Sequence, residues 1–80
     1  MKKSMPTIYA DFHNADKDGF VRMNSIGTIE DLSRHGVVLK DGLKVRISDG
    51  ELAADAVIRA PGKEGVWRAE INWPEVKECG

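Results

Sequence analysis

Between residues 37 and 71 apolar and charged side chains alternate with a period of two, and this alternation constrains the fold more than any other feature of the chain. Leu43, Val45 and Ile47 are interleaved with Lys44, Arg46 and Ser48, and Trp67, Ala69, Ile71 and Trp73 with Arg68, Glu70 and Asn72. Successive side chains of an extended strand point to opposite faces, so each run has one apolar face and one wet face. With residues 54–60 between them, the runs predict a three-stranded antiparallel meander. Its turns are marked by Asp41-Gly42, by Asp49-Gly50 and by the loop Pro61-Gly62-Lys63-Glu64-Gly65, residues that favour the backbone angles tight connections need.

Two further strands are expected upstream. In residues 7–12, Ile8, Ala10 and Phe12 share one face, with Tyr9 on the other; in residues 20–26, Val21 and Met23 form the inward pair. The polar run 13–19 between them ends in Asp18-Gly19, which predicts a hairpin with a long acidic tip. Residues 27–36 carry the helix signals: Thr28 as N-cap, Asp31 three residues on, and Gly36 at the left-handed C′ position. Such a helix has one or two turns, an acidic start, a basic end, and Ile29 and Leu32 as an apolar stripe that can plug a barrel end. Leu39 and its neighbours Val37 and Val38 lead into the meander. Trp73 is the last apolar anchor, because Pro74 has no N–H to donate to a ladder. The expected fold is mainly β: a single domain over residues 1–80, a small five-stranded antiparallel SH3-like barrel with one short helix between strands 2 and 3. Residues 1–6 and 75–80 are expected as loose tails.

Size and charge narrow the functional classes. An 80-residue chain buries only about 60% of the surface its unfolded form exposes, so a core and a deep pocket compete for the same residues. Its 41% hydrophobic and 31% charged content is that of a folded soluble domain. Twelve basic residues against 13 acidic ones, for a net charge of -1, create no global field for nucleic acid or an anionic membrane. Nowhere is there an apolar run near the roughly 18 residues of a membrane span. The single cysteine, Cys79, excludes an intramolecular disulfide and a multi-cysteine metal site, which suits a reducing compartment; a cytoplasmic location is expected.

Asn14, Asp16 and Asp18 stand at alternate positions before Gly19, the spacing by which an EF-hand loop wraps Ca²⁺. Position one is Asn, Ser25 stands where the bidentate Glu belongs, and strands flank the run. The competing reading is a turn-favouring acidic hairpin tip. Basic side chains Lys44, Arg46, Arg59 and Arg68 fall on the outer face, where neighbouring strands can gather them. Nucleic-acid binding would pair such a stripe with exposed aromatics, whereas Trp67 and Trp73 alternate so as to point inward, and Asp55 and Glu70 interrupt the stripe. His13 and His35 lie in a hairpin tip and at a helix end without a nucleophile at a useful spacing, and nothing in a terminal segment would activate Cys79.

Asp31-Leu32-Ser33-Arg34-His35-Gly36 resembles the Asp-x-Ser-x-x-Gly element of PilZ domains, small β-barrels in which it helps to hold a cyclic dinucleotide together with an upstream pair of arginines. Arg22 has no arginine four residues to either side, so that clamp does not carry over. Across nearly the whole chain, the tip 14–19, the run 27–32, Leu39 with Gly42, and Trp67 to Trp73 resemble short uncharacterised bacterial small β-barrel proteins of unknown function, a likeness that implies a stand-alone domain and no activity. Together these readings predict a non-enzymatic binding or regulatory module, without cofactor or bound metal, acting as a monomer or weak homodimer on an unknown protein partner. The expected contact surfaces are the tip with Asn14, Asp16 and Asp18, and the face with Lys44, Arg46, Arg59 and Arg68. The alternatives are cyclic dinucleotide sensing and single-stranded nucleic-acid binding through the basic face.

Overall fold

The computed structural model describes residues 5–78; Met1 to Ser4 and Cys79, with the expectations attached to them, lie outside the described residues. The described chain runs β1 (Thr7–Tyr9), β2 (Val21–Arg22), α1 (Ile26–His35), β3 (Lys44–Ser48), β4 (Leu52–Arg59), β5 (Arg68–Ile71), a 3-10 turn (Trp73–Glu75) and β6 (Lys77–Glu78). The strands form one curled, half-barrel sheet in the order β1-β3-β4-β5-β2, with β6 joining β4 beside β5.

The meander forms as the alternation predicts. β3 pairs antiparallel with β4, and β4 with β5. Its inward rows match large residues to small ones: Ile47 faces Ala54, Val45 faces Ala56, and Ile58 faces Ala69. Alanines opposite branched side chains let the curled sheet close on its core without overpacking. Ile8, Val21, Val45, Ile47 and Ile58 are fully buried, and Ala10, Phe12 and Met23 complete the core. Leu43, Trp67 and Ile71 pack against it while partly exposed.

The sheet is mixed rather than antiparallel. β1 pairs in parallel with β3, placing Ile8 beside Ile47, while β2 pairs antiparallel with β5 at the opposite edge. The expected hairpin between the first two strands therefore does not form. Residues 14–22 fold back on themselves instead, with Asp16 N–H donating to Phe20 C=O at 2.8 Å and Arg22 N–H to Asn14 C=O at 2.8 Å. Pairing β1 with β3 buries Ile8 and Ala10 against the fully apolar inner face of the meander, which a two-stranded hairpin standing alone could not do.

The helix begins three residues earlier than its capping pattern predicts. Ser25 is the N-cap, accepting the Thr28 N–H at 3.3 Å, and the acidic residues lie beyond the first turn. Gly36 closes it as expected, at φ 64°, where a side chain would be strained. Ile29 is 57% exposed, so of the predicted stripe Leu32 alone packs on the core. Residues 37–40 connect without strand pairing and leave Val38 exposed.

Trp73 is 42% exposed rather than inward. Its ring meets Phe12 edge to face at 6.2 Å, and its indole N–H donates to Gly19 C=O at 2.8 Å, holding the tip against the body. Pro74 interrupts the ladder as expected, and the 3-10 turn it sits in returns the chain to β4 as β6, with Lys77 beside Ala53. Lys77 and Glu78, expected within a loose tail, are thereby part of the sheet.

Candidate functional site

The outer face of the sheet has its own rows, and one is made of arginine. Arg59 on β4 lies in register with Arg68 on β5, and Arg68 with Arg22 on β2. Like charges directly opposite on one face destabilise a sheet, so this row needs carboxylates between its members, and it has them. Arg59 Nε donates to Glu70 Oε1 at 2.8 Å with Asp41 Oδ2 3.8 Å from Nη1. Arg68 Nη1 lies 3.8 Å from Asp16 Oδ2, and Arg22 is gripped by Glu64.

Of the four predicted basic residues, the structure brings Arg59 and Arg68 together and leaves the other two apart. Lys44 faces Val57 in the adjoining row, and Arg46 lies a further row away beside Asp55, its Nη2 3.2 Å from Oδ1. At about 3.3 Å per residue, two rows separate Arg46 from Arg59 by roughly 13 Å. Arg22 completes the row in their place. Its outward position follows from Val21 and Met23 pointing inward, but its neighbours depend on β2 pairing with β5.

Arg22 is the most elaborately held side chain of the row. Its Nη1 donates to Asn14 Oδ1 at 3.3 Å and to Ala15 C=O at 3.1 Å. Its Nε and Nη2 donate to the two oxygens of Glu64 at 2.8 and 2.9 Å, the parallel two-bond geometry in which guanidinium and carboxylate fit best. Hydrogen bonding to Glu64 raises the Arg22 pKa above its ordinary value, and hydrogen bonding to Arg22 lowers the Glu64 carboxyl below the usual carboxylate range. Arg68 Nη2 donates to Ala60 C=O at 2.9 Å, and its guanidinium carbon stands 5.0 Å from the Phe20 ring centre. Its buried Nε–H has no hydrogen-bond partner.

The acidic tip is built around its own backbone. Asp16 Oδ1 accepts the N–H groups of Asp18 and Phe20 at 2.9 and 3.0 Å, and its side chain is only 8% exposed. The Asn14 side chain donates to Asn24 Oδ1 at 2.7 Å while accepting from Arg22. The Asp16 and Asn14 oxygens that an EF-hand-like loop would turn to a cation thus serve the turn and Arg22. Among the described residues, no group of three or more His, Cys, Asp and Glu side chains is placed to hold a metal ion. Between the tip and the loop joining β4 to β5 lies a cleft of about 470 Å³, lined by Lys17, Asp18, Arg22, Lys63, Glu64 and Arg68 among others. A second cleft of about 490 Å³ lies beside Arg46, Asp55 and β6.

His13 is almost wholly exposed, its Nδ1 3.6 Å from Asp11 Oδ1, and His35 ends the helix. Asp31, Ser33 and Gly36 fall on α1 and its cap, and the Asp31 carboxylate is occupied by Tyr9 N–H and Arg34. No described helix is long and apolar enough to cross a membrane. Compared with known proteins, the chain matches no family model, no curated protein and no solved structure.

Proposed function

We propose that this chain is a non-enzymatic binding module that engages a protein partner through the cleft beside the arginine row, with acidic groups of the partner as the complementary chemistry. The supporting observation is the Arg22 guanidinium. The tip holds it from behind, and its carboxylate-binding edge turns toward a cleft that also carries Lys17, Lys63 and Arg68. Arginine in a prepared orientation loses less entropy on pairing than a free side chain, the condition for a few residues to dominate an interface. An SH3-like small barrel is the fold reading that accompanies this function, supported by the curl of the sheet and its short connecting helix. The single cysteine supports a cytoplasmic setting.

The test is affinity capture with the wild-type chain and with an Arg22→Ala/Arg59→Ala variant, both shown to be folded by their amide spectra. A partner retained by the wild type and lost by the variant is expected. Identical partner lists would remove this face from consideration.

A second reading, binding of single-stranded nucleic acid, is favoured by the same three guanidiniums in register. Binding of that kind weakens steeply with salt, and no retention of single-stranded oligonucleotides at low salt would dismiss it.

A further inference from the structure

The geometry points to Glu64 as a built-in competitor, a carboxylate that occupies the Arg22 fork until a glutamate or aspartate side chain of a partner protein replaces it. This rests on the proposed protein-binding role and specifies its ligand chemistry. A guanidinium has five N–H donors in a rigid plane. In Arg22 the two on Nη1 are fixed by Asn14 Oδ1 and Ala15 C=O, and Asn14 is fixed in turn by Asn24. The orientation of the group therefore does not depend on Glu64. The remaining edge, Nε and Nη2, forms the fork that takes two oxygens of one carboxylate, and Glu64 fills it at 2.8 and 2.9 Å.

Glu64 is suited to leave. It lies on the loop between Arg59 and Arg68, flanked by Gly62 and Gly65, whose Gly65 N–H to Gly62 C=O bond of 3.0 Å spans it. The Glu64 side chain is 49% exposed, against 26% for Arg22, so the held partner is the less exposed one and the replaceable partner faces water. Once Glu64 turns outward, Lys17, Lys63, Arg22 and Arg68 confront only Asp16 and Asp18 in the cleft. That surplus of positive charge attracts an anion, and the Nε/Nη2 fork, already seen holding the two oxygens of one carboxylate, selects its shape. The native occupant is itself a glutamate on a glycine-flanked segment, which models an acidic side chain presented by an extended stretch of a partner.

A self-occupied site shows an apparent affinity reduced by the fraction of molecules in which it is open, and for an exposed ion pair this reduction is modest, about fivefold. The measurement is a titration of the full ¹⁵N-labelled chain with a blocked hexaglutamate peptide at constant low ionic strength, followed at the Arg22 Nε–Hε signal where Arg22 is present and, in every variant, at the Lys63 and Gly65 backbone amides. Hexaserine and inorganic phosphate serve as comparison probes. Glu64→Gln is expected to bring the hexaglutamate midpoint down about fivefold from wild type, and Arg22→Lys in the Glu64→Gln background, which keeps the charge and removes the fork, to abolish that gain. Equal midpoints for wild type and Glu64→Gln would overturn the inference, as would an Arg22 signal that stays still in both. A response to phosphate without one to the peptide would overturn the carboxylate assignment. An Arg22 response gained by Glu64→Gln, alongside capture experiments in which no partner depends on Arg22, would leave the fork chemistry standing and refute the protein-binding role.

Discussion

Asp31 and Tyr9 meet at the open edge of the sheet, where the Asp31 carboxylate accepts the Tyr9 backbone N–H at 2.8 Å. One helical turn earlier, Thr28 Oγ1 donates to the Tyr9 carbonyl at 2.6 Å. Since that uses the only hydroxyl proton Thr28 has, Ser25 is the donor in their 2.7 Å contact. Two side chains of α1 thus do for Tyr9 what a neighbouring strand would do, satisfying both backbone groups on the side facing away from β3 and blunting an edge that would otherwise pair with another chain.

Thr28→Val keeps the shape of a fully buried side chain and leaves the Tyr9 carbonyl without its donor. A loss of about 1–3 kcal/mol is expected in urea denaturation. Asp31→Ala is expected to cost a similar amount and, in addition, to produce concentration-dependent self-association in size-exclusion chromatography, because it frees the Tyr9 N–H.

Gly27 lies under the Tyr9 ring, and a Cβ there would stand 2.7 Å from Tyr9 Cδ2. Gly27→Ala therefore forces the ring to move, at a cost of about 1–3 kcal/mol that outweighs the gain in helix propensity of roughly 1 kcal/mol. Combined with Tyr9→Ala the penalty should disappear, giving a non-additive double-mutant cycle. Additive losses would show that the ring is not the obstacle.

Asp49 gives the β3–β4 turn a pH dependence. Its Oδ1 accepts the N–H groups of Leu52 and Glu51 at 2.7 and 2.8 Å, and these bonds, Leu52 first, lower its pKa below the ordinary 3.8. A depressed carboxyl stabilises the fold fully above the unfolded value, and that contribution is lost as pH falls through the folded one. Asp49→Asn keeps an acceptor but not the charge, so it should be less stable than wild type by about 1 kcal/mol at pH 6. The difference should vanish as the pH falls below the depressed Asp49 pKa. Urea midpoints across the acid range check this, and a constant difference would contradict it.

Asp16→Ala removes the acceptor for two tip amides and a carboxylate beside Arg68, and a loss of about 2 kcal/mol is expected. Because Asp16 Oδ1 and the Asn14 oxygen are already engaged, millimolar calcium should leave the Asp16 and Asp18 amide signals of the wild type in place. A saturating shift would reveal a cation site at the tip.

Legibility in the sequence followed distance along the chain. The meander was readable because its partners are neighbours in sequence, its connections carry Asp49-Gly50 and the proline and two glycines of the loop 61–65, and Val45, Ile47, Ile58 and Ala69 occupy the inward phase. The pairing of Ile8 with Ile47 was not readable, since no turn signal announces a parallel partner reached through a helix and a loop. The same omission hid the site: alternation puts Arg22 outward, but only the β2–β5 register sets it beside Arg68. The cap moved from Thr28 to Ser25 because either residue can cap, and burial of the Thr28 hydroxyl against Tyr9 decides between them.

The parallel pairing of β1 with β3 also sets an order of events for a chain made from its N-terminus. At roughly 5–20 residues per second, Ile8 and Ala10 leave the ribosome seconds before the strand that buries them exists, and the helix that caps Tyr9 is complete before that strand too. Nascent β1 can therefore dock on α1 but not on a sheet. The apolar face of β1 is thus uncovered during synthesis and closed once β3 has paired with it.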